Sequence, residues 1–370
     1  MVDLRNQYLK IKPEIDSAIQ QVIDSGEFVK GSVVKEFERN LATYLNVKHV
    51  IACANGTDAL QLALMALNLK PGDEIITTPF TFIATAETIA LLGFKVVFVD
   101  VDPDTFNIDC TQIRSRISPR TKVIMPVHLF GQSANMDEIM GIAKENNLHV
   151  VEDAAQSIGS FFEHSNGKRS KTGTIGNIGC TSFFPSKNLG CFGDGGALFT
   201  NNDVLADKIR TIANHGMKVR YYHDMIGINS RLDTIQAAIL NVKLKSLDTY
   251  IASRKAAAKY YSEKLSVCKG VKVPKLVYDH VFHQYTLLIE NGKRNDLKKY
   301  LESKSIPSMI YYPVPIHLQK AFSNLEYKVG DFPVSEYLSN YVLSLPMHTE
   351  LDNETLDYIC NSIIEFFEIS

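Results

Sequence analysis

Short apolar runs alternate with helical patterns between about residues 50 and 200, and this alternation constrains the fold more than any other feature. It predicts a largely parallel sheet with helices on both faces, an α/β fold. Strands are predicted at 49–53, 74–78, 95–100, 122–127, 149–152, 180–184 and 197–200, and helices at 58–69, 82–92, 136–146 and 203–213. In sheets of this kind ligands bind outside the carboxyl ends of the strands.

The second half of the chain has a different pattern. Residues 232–265 form one continuous helical pattern without proline or glycine, and a helix that long usually bridges two domains or packs a dimer. Strand patterns at 271–273 and 284–289 and helical patterns at 295–303 and 354–367 follow it. With 370 residues the chain can form two cores. We predict a large domain with an N-terminal arm over 1–240 and a small C-terminal α+β domain over 241–370.

Composition and charge restrict the kind of partner. Hydrophobic residues make up 45% of the chain and charged residues 22%, as in ordinary soluble globular proteins. A net charge of -2 gives no electrostatic reason to bind nucleic acid or an anionic membrane. Basic pairs such as Lys243 with Lys245 are interpreted as solvated helix faces. The expected partners are therefore small molecules.

The sequence contains no predicted export signal or membrane span. Its first residues lack an apolar core, and its most apolar stretch, residues 89–101, is interrupted by a glycine and two charged residues. The six cysteines lack CxxC spacing and are interpreted as reduced, mostly buried thiols. Cys180 and Cys191 are interpreted as packing residues. We expect a cytoplasmic protein.

Asp153 and Lys187, thirty-four positions apart, are the candidate catalytic pair. Asp153 closes a hydrophobic run, and Lys187 stands among hydroxyls and glycines. Pyridoxal phosphate (PLP) needs this combination, because a lysine forms the Schiff base and a carboxylate keeps the pyridine nitrogen protonated, so that the ring acts as an electron sink. Asp153 alone is also compatible with a metal ligand or a helix cap, but no companion His/Asp cluster supports a metal.

A phosphate site is predicted where Asn55-Gly56-Thr57 opens a helix. Gly56 permits close backbone approach, Thr57 offers a hydroxyl, and the free amides of a first helical turn bind anions. Ser182, five residues before Lys187, is expected to reach the same phosphate. The alternative for the tripeptide is a plain Asn/Thr helix cap.

Phe80 and Phe82 follow a predicted strand, so their side chains reach the carboxyl edge of the sheet. An aromatic ring there can stack on a flat cofactor. We expect Phe82 to stack and Phe80 to pack in the core. Gln156, three residues after Asp153, is placed to donate to the phenolic oxygen of the cofactor ring.

Four segments together resemble a known family: EDAAQS, SFFPSKNLG, GDGGALFT and INSRLDTIQAA. They are similar to the DegT/DnrJ/EryC1/StrS family of sugar-nucleotide aminotransferases, and the resemblance extends from Leu4 to about Met347. It implies a fold-type I PLP enzyme, with pyridoxamine phosphate (PMP) as the alternate cofactor form. It also implies a homodimer with two shared active sites, and amino transfer from L-glutamate to a nucleotide-linked keto sugar.

The resemblance assigns roles by position. Lys187 matches the Schiff-base lysine, Asp153 the partner of the pyridine nitrogen and Gln156 the residue beside the ring. Asn229 matches an asparagine that reaches the phosphate across the dimer interface, and Arg231 accompanies it. The phosphate clamp corresponds to Gly56, Thr57 and Ser182, and the sugar-side loop to Tyr311, Tyr312 and His317. A packed proline-rich turn is the alternative for that loop.

Within the family the segments are most similar to the branch that aminates C3 of a UDP-linked 2-acetamido-3-keto-hexuronate for bacterial surface polysaccharides. Arg231 would then read the hexuronate carboxylate or that of glutamate. Three alternatives stay open: a dTDP- or UDP-linked 6-deoxy-keto-hexose as substrate, a PLP sugar dehydratase, and a non-catalytic regulatory protein with a retained fold. The dehydratases of the family carry histidine where this chain has Lys187, which disfavours that alternative.

Overall fold

The computed structural model of this protein describes residues 1–369. Its strands are β1 (His49–Cys53), β2 (Glu74–Thr77), β3 (Lys95–Phe98), β4 (Thr121–Ile124), β5 (His149–Asp153), β6 (Phe161–Glu163), β7 (Arg169–Lys171), β8 (Ile178–Ser182), β9 (Gly196–Thr200), β10 (Met217–Val219), β11 (Tyr222–His223), β12 (Val271–Lys272), β13 (Tyr285–Ile289) and β14 (Val342–Leu345). Its α-helices are α1 (Leu4–Lys10), α2 (Lys12–Ser25), α3 (Ser32–Leu45), α4 (Gly56–Ala66), α5 (Ala84–Leu91), α6 (Cys110–Arg116), α7 (Met136–Glu145), α8 (Asp203–Ile212), α9 (Thr234–Leu244), α10 (Leu247–Leu265), α11 (Arg294–Ser303), α12 (Pro333–Tyr341) and α13 (Asn353–Ile369).

The centre of the fold is a seven-stranded sheet in the order β1-β9-β8-β5-β4-β2-β3. The pairs from β8 through β5, β4 and β2 to β3 are parallel, whereas β9 runs antiparallel to both of its neighbours. These seven strands are the seven that the sequence predicts. The mostly parallel sheet is therefore confirmed, with one strand reversed.

Helices cover both faces of this sheet, so its central strands are buried on both sides. All four residues of β2 are buried, a pattern typical of a strand inside a parallel sheet. Ile75 packs in a cluster with residues of α4, α5 and α8, whereas the next residue, Ile76, packs in a second cluster with residues of α6 and α7. The alternation of side chains along the strand thus builds two cores from one run of apolar residues.

The prediction of one continuous helix over residues 232–265 is wrong, since α9 and α10 are separated at Lys245 and Ser246. The two helices share one core, because Leu240 of α9 and Ile251 of α10 pack in the same cluster with residues of α3. The later part of α10, including Tyr261, packs in a second cluster with residues of β13, β14 and α13. The helical pattern thus passes from one core to the other, which the local pattern does not record.

The interpretation of Lys243 as a solvated residue is also wrong. Its side chain is only 2% exposed, and its ammonium donates to the carbonyl oxygen of Gly190 at 2.5 Å. Lys245, two positions on, is exposed as expected. The difference arises because position 243 lies on the face of α9 that packs against the loop after Lys187.

The C-terminal part forms a second, smaller sheet, β12-β13-β14, which is antiparallel and packs with α10, α11 and α13. This arrangement agrees with the expected α+β character, and the division of the chain near residue 240 stays a prediction. Cys180 and Cys191 are buried, as expected of packing residues. None of the described helices combines the length and apolarity needed to cross a membrane.

Candidate active site

A cavity of about 630 Å³ opens at the edge of the large sheet where β5 and β8 end. Its walls come from the first turn of α4, the segment before α5, the ends of β5 and β8, the loop after β8 and two segments of the C-terminal half. They include Asn55, Gly56, Thr57, Phe82, Thr85, Asp153, Gln156, Ser182, Lys187, His283, Gln284, Tyr311 and Tyr312. The position agrees with the expectation for ligands of parallel sheets.

Lys187 lies half-buried in this cavity, on the turn that follows β8. The turn is tight: the Lys187 amide donates to the carbonyl of Phe184 at 2.8 Å, and a Cβ at Gly190 would lie 2.4 Å from the carbonyl oxygen of Pro185. Burial lowers the pKa of Lys187 from 10.5 to about 8, and the nearby Asp153 carboxylate partly opposes that shift. About a tenth of this amine is therefore unprotonated at pH 7, far more than for an ordinary lysine.

Asp153 ends β5 and is buried, with 5% of its surface exposed. One carboxylate oxygen accepts from the Thr85 hydroxyl at 2.8 Å, and the other accepts from the Ala155 amide at 3.2 Å. Burial raises the pKa of Asp153, and the two donors partly offset that rise. Within residues 1–369 no cationic side chain forms an ion pair with it, although buried carboxylates generally require one. A protonated pyridine nitrogen would meet this need.

The first turn of α4 forms another wall of the cavity. Asn55 is its cap, and the side-chain oxygen of Asn55 accepts from the Asp58 amide at 2.8 Å, an arrangement compatible with a phosphate site at the same turn. The cap leaves the amides at the start of the helix available for an anion. Gly56 approaches Ser182 so closely that an added Cβ would lie 2.7 Å from the Ser182 Cβ. The turn and Ser182 thus form a small polar cradle that any larger residue at position 56 would fill.

Two aromatic residues are placed as expected. Phe82 projects into the cavity with 55% of its surface exposed, whereas Phe80 is fully buried. Gln156 also faces the cavity, but its side chain is already engaged. Its oxygen accepts from the Phe130 amide at 2.7 Å, and its nitrogen donates to the Tyr312 hydroxyl at 3.0 Å. The amide group of Gln156 is therefore held in one orientation by two protein contacts.

Three predicted residues lie elsewhere. Asn229 does not line the cavity and forms a β-bridge with Asn214. Arg231 lines a separate cavity of about 230 Å³, together with Lys30. His317 is only 2% exposed and bonds to Glu336 at 3.1 Å, so the expected direct contact of His317 with a sugar in this cavity is not supported. The expected sugar-side Tyr311 and Tyr312 do line it.

Sequence reasoning missed several residues of the site. Thr85 holds Asp153, yet it stands inside a helical pattern where threonine carries no signal. His283 lines the cavity although it precedes β13 in the C-terminal half, and burial keeps its pKa well below the usual value. No local spacing connects His283 to Lys187, so only the fold could reveal it. His128 directly follows the predicted strand 122–127, but it pairs with the buried Glu152 at 2.9 Å and does not line the cavity.

The model of the DegT/DnrJ/EryC1/StrS aminotransferase family matches residues 9–364. The chain belongs to this family. Three relatives of the aminotransferase are similar over nearly the whole length. It is 48% identical to a pleiotropic regulatory protein of Geobacillus stearothermophilus, with 99% of this chain and 98% of the relative covered. It is 45% identical to UDP-2-acetamido-2-deoxy-3-oxo-D-glucuronate aminotransferase of Pseudomonas aeruginosa, with 98% of each covered. It is 44% identical to a UDP-N-acetyl-3-dehydro-α-D-glucosamine 3-aminotransferase of Acidithiobacillus ferrooxidans, with 98% and 96% covered.

Solved structures agree with the family. DesV of Streptomyces venezuelae, in complex with a ketimine intermediate, superimposes with a TM-score of 0.95 at 36% identity, covering 99% of this chain and 98% of that one. NtdA of Bacillus subtilis with bound PMP superimposes with a TM-score of 0.90 at 32% identity, covering 97% and 82%. The predicted fold-type I architecture is thereby confirmed. This protein is an aminotransferase of the sugar-nucleotide family, and its cofactor is PLP.

Proposed function

We propose that this aminotransferase moves an amino group from L-glutamate to C3 of a UDP-linked 2-acetamido-3-keto-hexuronate, for a bacterial surface polysaccharide. The observation that supports the chemistry is that Lys187 and Asp153 line the same cavity. The pKa of the Lys187 amine is lowered to about 8, and the buried Asp153 carboxylate has no ion-pair partner among the described residues. A relative named for that activity is 45% identical, and a relative named as a 3-aminotransferase of UDP-N-acetyl-3-dehydro-α-D-glucosamine is 44% identical, so both support amination at C3 of a UDP-linked sugar.

The residues of the cavity fit the cofactor. When bound, PLP supplies an electron sink for the negative charge that develops beside the reacting amino group. We assign the pyridine nitrogen to Asp153, the phosphate to the first turn of α4 with Ser182, and a ring face to Phe82. Thr57 adds a hydroxyl to the phosphate cradle. Gln156 is assigned to the edge of the ring, in the orientation that Tyr312 fixes.

Lys187 is proposed to hold the cofactor covalently and, when released, to move the proton between the α-carbon of the amino donor and the cofactor carbon. A proton carrier is most effective when its pKa lies near the working pH, and burial brings the pKa of Lys187 to about 8. Glutamate and the keto sugar use the same lysine in succession, so the proposed kinetics are ping-pong.

The test of this assignment is chemical labelling. Borohydride reduction of the yellow, PLP-loaded protein followed by peptide mapping should label Lys187, and Lys187→Ala should abolish turnover while cofactor still binds noncovalently. L-glutamate should bleach the visible band of the wild-type protein. Label at another lysine would refute the assignment of Lys187. A colourless protein that PLP cannot reconstitute would instead favour the alternative of a non-catalytic regulatory protein. The relative of Geobacillus stearothermophilus is named a regulatory protein.

We further propose a homodimer in which Asn229 and Arg231 reach the cavity of the partner subunit. Both lie outside the cavity of their own chain and a few residues before α9, and the Arg231 guanidinium forms no ion pair within the described residues. Mixing inactive Lys187→Ala chains with inactive chains altered at both Asn229 and Arg231 should produce heterodimers with one intact site. Their activity should recover, whereas a monomer in sedimentation or an inactive mixture would contradict shared sites.

The uronate proposal is tested by comparing three keto sugars that differ only at C6: the carboxylate, the primary alcohol and the 6-deoxy form. We expect the highest kcat/KM for the carboxylate, because a guanidinium such as that of Arg231 forms a bidentate pair with a carboxylate. Equal efficiency on the alcohol would move the assignment toward the activity named for the relative of Acidithiobacillus ferrooxidans. Equal efficiency on the 6-deoxy form would favour a dTDP- or UDP-linked 6-deoxy-keto-hexose. A preference for the uronate that survives Arg231→Lys would show that Arg231 does not read the carboxylate.

A further inference from the structure

Lys243 is an unusual residue for the interior of a protein. Lysine is almost never fully buried unless it is paired, yet this side chain is 2% exposed and, among residues 1–369, no carboxylate forms an ion pair with it. Its ammonium donates to the Gly190 carbonyl at 2.5 Å and lies 5.6 Å from the centre of the Phe192 ring. Burial lowers its pKa to about 8. The chain therefore tolerates a desolvated cation at this position.

Gln236 holds the same loop from the same helix. Its side-chain oxygen accepts from the Phe192 amide at 2.8 Å, and its side-chain nitrogen donates to the Phe192 carbonyl at 3.3 Å. Gln236 and Lys243 are seven residues apart, about two turns of α9, so they lie on one face of the helix. Together they bind the backbone of the loop at two points, Gly190 and Phe192.

Gly190 lies in the turn that carries Lys187, and Phe192 follows that turn directly. The Cys191 amide donates to the Phe183 carbonyl at 2.8 Å, so residues 183–191 form a closed turn with Lys187 near its middle. The close approach of Gly190 to Pro185 leaves this turn little freedom. A displacement of Gly190 or Phe192 would therefore be passed on to the backbone of Lys187.

The helix that provides the two contacts is itself firmly held. It packs against α2 and α3, and the hydroxyl of Thr234 at its start accepts from the Gly31 amide at 3.3 Å. A charge-assisted hydrogen bond from an ammonium is stronger than one from a neutral amide. A cation anchored in a rigid helix is thus well suited to fix a loop in one position.

We propose that Gln236 and Lys243 are positioning residues that clamp the turn carrying Lys187, so that its amine is held at the reacting atoms. The proposal rests on the proposed role of Lys187. The clamp would act on the position of the Lys187 amine, since a misplacement of about 1 Å at a reacting group can lower a rate by about 100-fold.

The test uses the PLP-loaded enzyme and the variants Lys243→Met and Gln236→Leu, with Lys245→Met as the matched control at an exposed position two residues after Lys243. We expect Lys243→Met to lower kcat by about 10- to 100-fold with little change in the KM for glutamate. We also expect a shifted pH midpoint of the visible band and faster release of PLP. Thermal stability is measured alongside, because Met removes a desolvated charge but also leaves the Gly190 carbonyl without its donor. Gln236→Leu should change the same observables in the same direction, and Lys245→Met should match the wild type.

Borohydride mapping of the wild-type enzyme comes first, because it separates the two proposals. If Lys187 is not labelled, the assignment of Lys187 fails. If Lys187 is labelled but both clamp variants match Lys245→Met in kcat, visible band and PLP release, the clamp is wrong. If Lys243→Met does not fold, Gln236→Leu at its half-buried position decides the question alone. A loss of stability with an unchanged visible band and kcat would mean that the contacts serve folding only.

Discussion

The pKa of Lys187 leads to a prediction about its reactivity in the protein without cofactor. Only the neutral amine attacks an electrophile, and burial lowers the pKa of this lysine from 10.5 to about 8. At pH 7 the neutral fraction is then about 9%, against about 0.03% for an unperturbed lysine, a ratio of about 300. Lys187 should therefore react with an amine-selective reagent much faster near neutrality than a free lysine does.

Replacing Asp153 should change the pKa of Lys187 in a direction that the structure predicts. The Asp153 carboxylate raises the pKa of Lys187 and so works against the effect of burial. Replacing Asp153 with Asn removes that negative charge, and the pKa of Lys187 should fall further. The variant should thus react faster than the wild type at pH 7, although its turnover should be much lower because a neutral pyridine is a poor electron sink.

The assay is trinitrophenylation of the cofactor-free protein over a range of pH, with the Lys187 peptide quantified by mass spectrometry and N-acetyl-lysine as the reference. The wild-type midpoint should lie near pH 8, and the midpoint of Asp153→Asn should lie below it. A wild-type midpoint near that of free lysine would refute the argument from burial. An unchanged or higher midpoint in Asp153→Asn would refute the electrostatic coupling between the two residues.

Three further predictions use the same structure. Lys187→Met should raise the free energy of unfolding of the cofactor-free protein by about 3 kcal/mol below pH 8, the cost of charging an amine whose pKa is lowered from 10.5 to about 8. Between these two pH values the unfolded chain binds a proton that the folded chain does not, so the advantage of the variant should disappear as the pH rises to 10.5. Chemical denaturation over this pH range measures it. Gly56→Ala should weaken PLP binding by at least about tenfold, because its Cβ would collide with Ser182. The control Gly141→Ala, inside α7 with open space around it, should bind PLP normally and gain about 0.5–1 kcal/mol in stability. Equal PLP affinities of the two variants would contradict the close packing at Gly56. Phe82→Leu should weaken PLP binding by about 1 kcal/mol through loss of an exposed aromatic face, measured by fluorescence titration, and an unchanged affinity would mean that Phe82 does not stack.

The sequence by itself determined the central sheet and the principal residues of the cavity. Most residues of the seven strands are buried, on both faces of the sheet in β2 and β9, so the local runs contain much of the information. Asp153 and Ser182 close two of these strands, and the carboxyl ends of parallel strands necessarily meet at one edge. The same rule placed Phe80 and Phe82 near this edge, whereas the structure decided that Phe80 is buried and Phe82 exposed.

Only the tertiary structure decided which side chains support these residues. Thr85 reaches Asp153 across 68 positions of sequence, and Tyr312 reaches Gln156 across 156, so no local pattern records either contact. Lys243 resembles a surface lysine until the packing of α9 places it over the Gly190 carbonyl. The local pattern also does not record the break between α9 and α10, nor the passage of α10 from the cluster around α3 to the cluster around β13 and β14. Local periodicity specifies which face of an element is apolar, whereas the partner of each polar group depends on how distant elements pack.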